Sequence, residues 1–396
     1  MRKSHLYFTL AIVLLITLIT SINSCKKVNG VDNDTVVETP FSLLFSDSAG
    51  AVYNSTDGKT ISKTIFEADG YPCRAICVSY DNILLVKKNL YISTNNGLNF
   101  NHSFDSVGSY PGNACNGFPL DLNQSMIVNI ADWNALYVVN DCYIPNNYLG
   151  VSYSLYAGAQ GDWYIDQVDT LGAIGDYGNY PYITITSMTL MPNGVLAGYD
   201  ARHNRCFYRT KGTLWNESTA NPDTATGFTA YGNPGNHSGI HLPFADLNST
   251  PPDTAGGMAR YSYGHINDRL IAIDQNNCHN YGAYYSDDTG RNWAAMSGLP
   301  SSPLLCVGSP FEENCFVGTA GSGLYILNVN TNTWQANNSG LAKNLVVRSL
   351  VGKEMYYKNG KIQKYIFLAT NVGIYQSTDG GSTWTLTIPG NFTAIY

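Results

Sequence analysis

Five arginines and two histidines are the residues in this chain best suited to bind a charged ligand. Arg74, Arg202, Arg205, Arg260 and Arg348 carry planar guanidinium groups. Each can grip a carboxylate through two parallel hydrogen bonds, as a sialic or uronic acid requires. His203 and His265, with His237 and His241 in a Gly/Pro-rich stretch, supply ring nitrogens that donate or accept hydrogen bonds. Trp133, Tyr177 and Tyr261, joined by Tyr143, Tyr148, Tyr180 and Tyr182, offer flat faces that could stack on sugar rings. Acid–base chemistry has fewer candidates. Hydrolysis of a glycosidic bond needs two carboxyl groups roughly 5–10 Å apart. The only glutamates are Glu38, Glu67, Glu217, Glu312, Glu313 and Glu354. Glu67 and Glu217, or the aspartates Asp132, Asp176 and Asp200, are the acids to consider. None of the nine cysteines has the paired C-x-x-C spacing of a metal site, so neither a metal nor a cofactor is expected.

These residues need a scaffold, and the scaffold is written as a repeat. Ser377-Thr378-Asp379-Gly380-Gly381-Ser382-Thr383-Trp384 has a near-copy in Ser286-Asp287-Asp288-Thr289-Gly290-Arg291-Asn292-Trp293. Both read S-x-D-x-G-x-x-W, and both follow a short aromatic strand. Ser93 to Phe100 keeps the spacing with Asn for Asp and Phe for Trp, and Ser55 to Ile61 is one residue short. Weaker remnants end at Trp163, Trp215 and Trp334. Around each copy, short apolar runs alternate with period two and break at Gly, Asn and Asp, as antiparallel strands do. Val346 to Val351, Lys364 to Thr370, Gly373 to Ser377 and Thr383 to Thr387 give the fullest example. Four strands per unit of about 50 residues is a propeller blade. The expectation is therefore an all-β chain, a β-propeller of seven four-stranded blades. Asn391 to Tyr396 is an orphan first strand, and the first blade begins at its second strand, Phe41 to Phe45. Pairing the C-terminal strand into the N-terminal blade closes the ring and protects its edges.

The octapeptide resembles the Asp-box, or BNR repeat, of propellers in sialidases, xyloglucanase-type glycosidases, sortilin-like receptors and photosystem assembly factors. The turn explains its residues. The Asp accepts hydrogen bonds from turn N–H groups, the Gly permits positive φ, and the Trp wedges against the neighbouring sheet. Ser286, Asp288, Gly290, Trp293, Ser377, Asp379, Gly381 and Trp384 are thus assigned to structure. The resemblance implies that box turns lie on the face away from an active site. Ligand-binding residues are then expected on the opposite face, where the long stretch 216–265, the five arginines, both histidines and the aromatics are expected to gather. Glu312 and Glu313 fall in a turn on the box side. Sialidases also carry an F/Y-R-I-P run in the first blade, which this chain lacks. The expected function is a binding or recognition module for a glycan, peptide or protein, with a sialidase-like or xyloglucanase-like glycoside hydrolase as the alternative.

The N-terminus supplies an address. Arg2 and Lys3 precede an apolar stretch from Leu6 to Ile22 that ends at Ser24-Cys25. This is the layout of a signal peptide. Ile22-Asn23-Ser24-Cys25 resembles a bacterial lipobox, which implies acylation of Cys25 and anchoring to a membrane of the bacterial cell envelope. The chain then divides into a signal peptide (1–24), a lipidated Cys with a flexible tether (25–40) and the propeller (41–396). A fifteen-residue tether reaches roughly 20 Å. Eight further cysteines permit disulfides in an exported chain. Cys306 and Cys315 could meet across a hairpin, Cys206 and Cys278 fall at equivalent places in successive repeats, and Cys115 and Cys142 bracket one repeat. Charged residues are 13% of the chain, with a net charge of −7, and no basic patch marks a nucleic-acid binder. The remaining partner expectations are a membrane lipid and a monomeric state.

Overall fold

The structure is a computed structural model. It describes residues 36–73, 75–79, 82–87, 90–102, 127–130, 135–138, 151–155, 163–166, 185–200, 205–210, 216–218, 261–275 and 282–396. Those residues form two compact units, treated separately below.

The large unit comprises 41–354 and 364–396. Its strands, with β1 (Val37–Thr39) of the small unit, fall into seven sheets among the described residues. The first holds β2 (Leu43–Asp47), β3 (Val52–Ser55) and β4 (Lys63–Phe66). The second holds β5 (Ala75–Ser79), β6 (Asn82–Val86), β7 (Leu90–Ser93) and β8 (Asn101–His102). The third holds β9 (Ile127–Ile130), β10 (Ala135–Val138), β11 (Val151–Leu155) and β12 (Trp163–Asp166). The fourth holds β13 (Ile185–Leu190), β14 (Leu196–Asp200), β15 (Arg205–Arg209) and β16 (Asn216–Ser218). The fifth holds β17 (Tyr261–Ile266), β18 (Arg269–Asp274), β19 (Ala283–Ser286) and β20 (Ala294–Met296). The sixth holds β21 (Leu304–Gly308), β22 (Phe316–Thr319), β23 (Leu324–Asn328) and β24 (Thr333–Ala336). The seventh holds β25 (Val347–Tyr357), β26 (Ile362–Thr370), β27 (Gly373–Ser377) and β28 (Thr385–Pro389). The last strand, β29 (Phe392–Ile395), returns to lie first in the first sheet, in the order β29-β2-β3-β4.

Every sheet is an antiparallel meander, and its first strand meets the first strand of the next. β29 packs on β5, β5 on β9, β9 on β13, β13 on β17 and β17 on β21. The Cys306 thiol of β21 donates to the carbonyl of Val347 in β25 at 3.8 Å. Arg348 of β25 donates to the carbonyl of Phe392 in β29 at 2.9 Å. The circuit of first strands is closed, which is a β-propeller arrangement. Closure by the C-terminus is direct: Phe45 pairs with Ile395, Ser46 with Ala394 and Asp47 with Phe392.

Apolar runs in the middle strands follow from this layering. β22 and β27 are buried at every position because each sheet packs against neighbours on both sides. The core is a series of inter-sheet seams. One contains Tyr199, Cys206, Tyr263, Leu270 and Trp293 of the fourth and fifth sheets. Another contains Phe316, Val347, Ile366, Leu368 and Trp384 of the sixth and seventh.

The small unit comprises the described residues of 1–40 and the hairpin tip 355–363. Val37–Thr39, at the end of the expected tether, form strand β1, which pairs with the tip through Val37 opposite Tyr357 and Thr39 opposite Tyr356. The strands β25 and β26 are 11 and 9 residues long, longer than the runs Val346 to Val351 and Lys364 to Thr370 expected from the alternation.

Candidate functional site

The octapeptide turns are built alike. At Ser286 to Trp293, the Gly290 N–H donates to Ser286 Oγ at 2.7 Å, and Ser286 Oγ donates to Asp288 Oδ1 at 2.8 Å. The Asn292 N–H reaches the same carboxylate oxygen at 2.8 Å, and its side-chain amide reaches Oδ2 at 2.6 Å. At Ser377 to Trp384, Thr383 donates its N–H and hydroxyl to Asp379 at 3.0 and 2.6 Å. Asn95 substitutes as acceptor in the third copy, taking the Asn99 N–H at 3.0 Å. Asp57 takes the N–H groups of Lys59 and Thr60, both at 2.8 Å.

These bonds set the charge on the turn. Hydrogen bonds from the Thr383 hydroxyl and N–H hold Asp379 down at about 2. Burial pushes Asp288 up, but the donors of Asn292 and Ser286 outweigh it and leave its pKa lowered. A carboxylate stabilised in its charged form by fixed donors is a poor proton donor for acid catalysis at neutral pH.

Gly and Trp of the turn face the preceding sheet. A Cβ on Gly290 would sit 2.6 Å from Cys206 Sγ in the fourth sheet, and Gly290 has φ +82°. Trp293 packs with Tyr199 and Cys206 of the fourth sheet and lies 5.8 Å from the Tyr263 ring of its own sheet, Trp384 lies 6.2 Å from Phe316 of the sixth, and Trp334 is buried too. The indole N–H of Trp293 donates to Gly290 O at 3.0 Å.

Meander topology then gives the two ends of the large unit different connections. Turns joining strands one to two and three to four share the octapeptide side, where the longest, such as 287–293, run seven residues. Connections joining strands two to three, and each sheet to the next, leave from the opposite side. All the long ones are of this kind: 103–126, 139–150, 167–184 and 219–260. The stretch read as 216–265 contributes its first residues to β16 and its last to β17, so the connection itself is 219–260.

Of the ligand candidates, Tyr177 belongs to 167–184 and Arg260 to 219–260, Arg74 to 67–74 and Arg202 and His203 to 201–204, all connections of the long-loop side, whereas Trp133 belongs to 131–134, which joins strands one to two on the octapeptide side. Arg74, Trp133, Tyr177, Arg202, His203 and Arg260 are outside the described residues, as are Tyr143, Tyr148, Asp132, Asp176, Tyr180, Tyr182, His237, His241 and Cys25. The backbones of Arg205 and Tyr261 begin β15 and β17 at the long-loop end. Arg348 is also at that end. Its Nη1 donates to Asn391 Oδ1 at 2.7 Å and to Phe392 O at 2.9 Å, fastening β25 to β29. Burial lowers its pKa from the ordinary value.

His265 is a correction. It was expected on the long-loop side, but β17 starts at Tyr261 and runs toward the octapeptide side. His265 pairs with Leu270, which pairs with Ser286 at the start of the turn. There, its Nε2 is 2.9 Å from Glu312 Oε1, and its Nδ1 is 2.6 Å from Thr189 Oγ1. The network ties β13, β17 and the β21–β22 turn together. No local pattern in the sequence signals it, because its three members are far apart in the chain.

Two further groups escaped the sequence reading. Lys87 is fully buried at the long-loop end, where Nζ donates to Gly50 O at 2.5 Å and to Asp69 Oδ1 at 2.6 Å. It also lies 4.1 Å from the Phe66 ring centroid. Tyr53 donates its hydroxyl to Asp47 Oδ2 at 2.8 Å. Burial, reinforced by Asp47, pushes its pKa up to about 12, the opposite of what a tyrosine nucleophile needs.

The expected Cys306–Cys315 bridge is absent, since both thiols are free. Cys306 pairs opposite Gly318 and reaches toward β25, whereas Cys315 packs with Val317 and Leu327 on the other side of the sheet. Cys206 is also a free thiol, buried beneath Gly290. Cys115, Cys142 and Cys278 are outside the described residues. Among the described residues, no group of three His, Cys, Asp or Glu side chains is placed to hold a metal ion.

The arrangement thus defines an all-β propeller with one short-turned and one long-looped end. No family model and no curated protein matches the chain. Solved structures similar to it include YCF48 from Cyanidioschyzon merolae, at 13% identity and a TM-score of 0.45, covering 84% of this chain and 94% of that one. Virginiamycin B lyase from Staphylococcus aureus is similar at 10% identity and a TM-score of 0.46, covering 78% and 82%. The computationally designed Ika8 protein is similar at 8% identity and 0.47, covering 91% and 88%. Similarity at this level carries no inference about activity.

Proposed function

We propose that the chain is an exported binding module, a closed ring of seven Asp-box (BNR) blades, one per sheet, anchored through an acylated Cys25 to a bacterial envelope membrane. It works as a monomer and holds a glycan, peptide or protein ligand on the long-loop face. The observation that carries this reading is the asymmetry of the connections. Loops free of ladder obligations are where binding residues can accumulate without cost to the scaffold. The long connections all start and end on one side; Arg260 belongs to one and Tyr261 borders it, while Arg202, His203 and Arg205 belong to or border the short connection 201–204 on the same side.

The hydrolase alternative has less support. The octapeptide carboxylates are committed to backbone donors, and Tyr53 is held protonated. The test is a glycan-array and peptide-capture screen of the exported chain, run beside chromogenic glycosides. A variant with 219–260 replaced by a short Gly/Ser linker should keep its unfolding midpoint and lose ligand. Glycoside turnover abolished by an Asp or Glu substitution on the long-loop side would overturn the binding reading in favour of catalysis.

A further inference from the structure

The small unit concentrates a feature that the large one scatters. Exposed large apolar side chains of the large unit, such as Ile61, Leu98 and Val329, stand one at a time on different turns. In the small unit three stand on the strands that it pairs: Val37 at 39% exposure, opposite Tyr357, with Tyr356 at 40% and Ile362 at 50%. The Tyr357 N–H donates to Lys361 O at 2.9 Å and the Gly360 N–H to Tyr357 O at 2.9 Å, closing a tight turn. The next opposed pair along this hairpin is Tyr356 with Ile362, so these two share a face. Lys358 is the first residue of the turn, and Lys361 stands with its Nζ 5.8 Å from the Tyr357 ring centroid. Both lysines are exposed, and a Cβ placed on Gly360 would meet nothing within 4 Å. The Lys358 N–H donates to Val36 O at 3.0 Å, which pins the incoming N-terminal strand to this turn.

We propose that this hairpin tip docks on an anionic lipid surface. The inference rests on the envelope-anchored reading above. An aliphatic side chain, tyrosines and lysines side by side suit a bilayer interface, with aromatic rings at headgroup depth and lysine stems reaching the phosphates. Val36 lies eleven residues from Cys25, and a chain of that length serving as the tether expected from the sequence spans roughly 18 Å. A lipid on Cys25 therefore keeps the tip within range of the same membrane. A second copy of the chain is the weaker occupant, because three side chains fall far short of the roughly 1,000 Å² that a stable interface buries.

The test follows backbone hydrogen exchange across 354–363 in the purified exported chain, with phosphatidylglycerol vesicles and with phosphatidylcholine vesicles. Exchange at 356–362 should slow about tenfold on the anionic vesicles only. Tyr356→Ser with Ile362→Ser should remove the slowing, and so should Lys358→Gln with Lys361→Gln. In unacylated protein the lysine pair should lower vesicle partitioning about thirtyfold. Equal exchange on both vesicles overturns the proposal. Slowing that grows with protein concentration in the absence of lipid also overturns it, by making a second copy the occupant. The mass of the Cys25 peptide separates the two readings. Acylated protein with an unprotected tip sinks the docking surface alone, whereas a protected tip on unacylated protein sinks the anchor alone.

Discussion

The two ends of the large unit use polar residues for opposite purposes. On the octapeptide side, Ser286, Asp288, Ser377 and Asp379 hydrogen-bond the turn that contains them, and Trp293 and Trp384 fill the seam with the preceding sheet. On the other side, the connections run up to 219–260. A recurrent acidic motif therefore marks where the scaffold is made, and the face proposed for ligand is the one built from irregular sequence.

Four changes probe that contrast, in falling order of effect on stability. Deleting Asn391 to Tyr396 removes β29, with buried Phe392, Ala394 and Ile395. It should cost about 6 kcal/mol or more and abolish cooperative unfolding. An unchanged melting temperature would show that the ring does not depend on this closure. Trp384→Ala should cost about 4 kcal/mol in a denaturant titration by emptying the seam against Phe316, while ligand binding by the folded fraction stays intact. Asp379→Ala should cost about 1–2 kcal/mol from lost turn bonds on an exposed surface. Replacing 219–260 should change stability by less than about 1 kcal/mol yet remove binding.

The same carboxylates give a pH signature. Asp379 is lowered from 3.8 to about 2, and Asp288 and Asp57 are lowered in the same direction. A group depressed by folding stabilises above its unfolded pKa and loses that contribution as pH falls through its folded value. Stability should thus decline between about pH 4 and pH 2. Asp379→Asn should flatten that part of the profile in acid titrations followed by circular dichroism. An identical acid midpoint in the variant would mean that the Asp379 bonds add nothing.

The fold was legible where its causes are local. The S-x-D-x-G-x-x-W spacing encodes one turn, its donors and its wedge, so even the Asn95 copy could be found from residues alone. Closure was legible because Asn391 to Tyr396 formed a strand without a local partner. What escaped depends on register between distant strands. Cys306 and Cys315 flank one turn, but a register shift between Leu304 and Cys306 and strict alternation send their side chains to different seams. His265 follows a long connection in the chain yet sits at the far end of its strand. The length of the β25–β26 hairpin was hidden because Lys353, Glu354, Lys358 and Lys361 interrupt its apolar alternation.

Hydrogen exchange of the protein, with and without whichever glycan or peptide the screen identifies, tests the central claim most directly. Protection is predicted in 219–260 and at the adjoining ends of β15 and β17, with 286–293 and 377–384 unchanged. Ligand-induced protection centred on those two octapeptides, with none in 219–260, would contradict the assignment of scaffold to one face and recognition to the other.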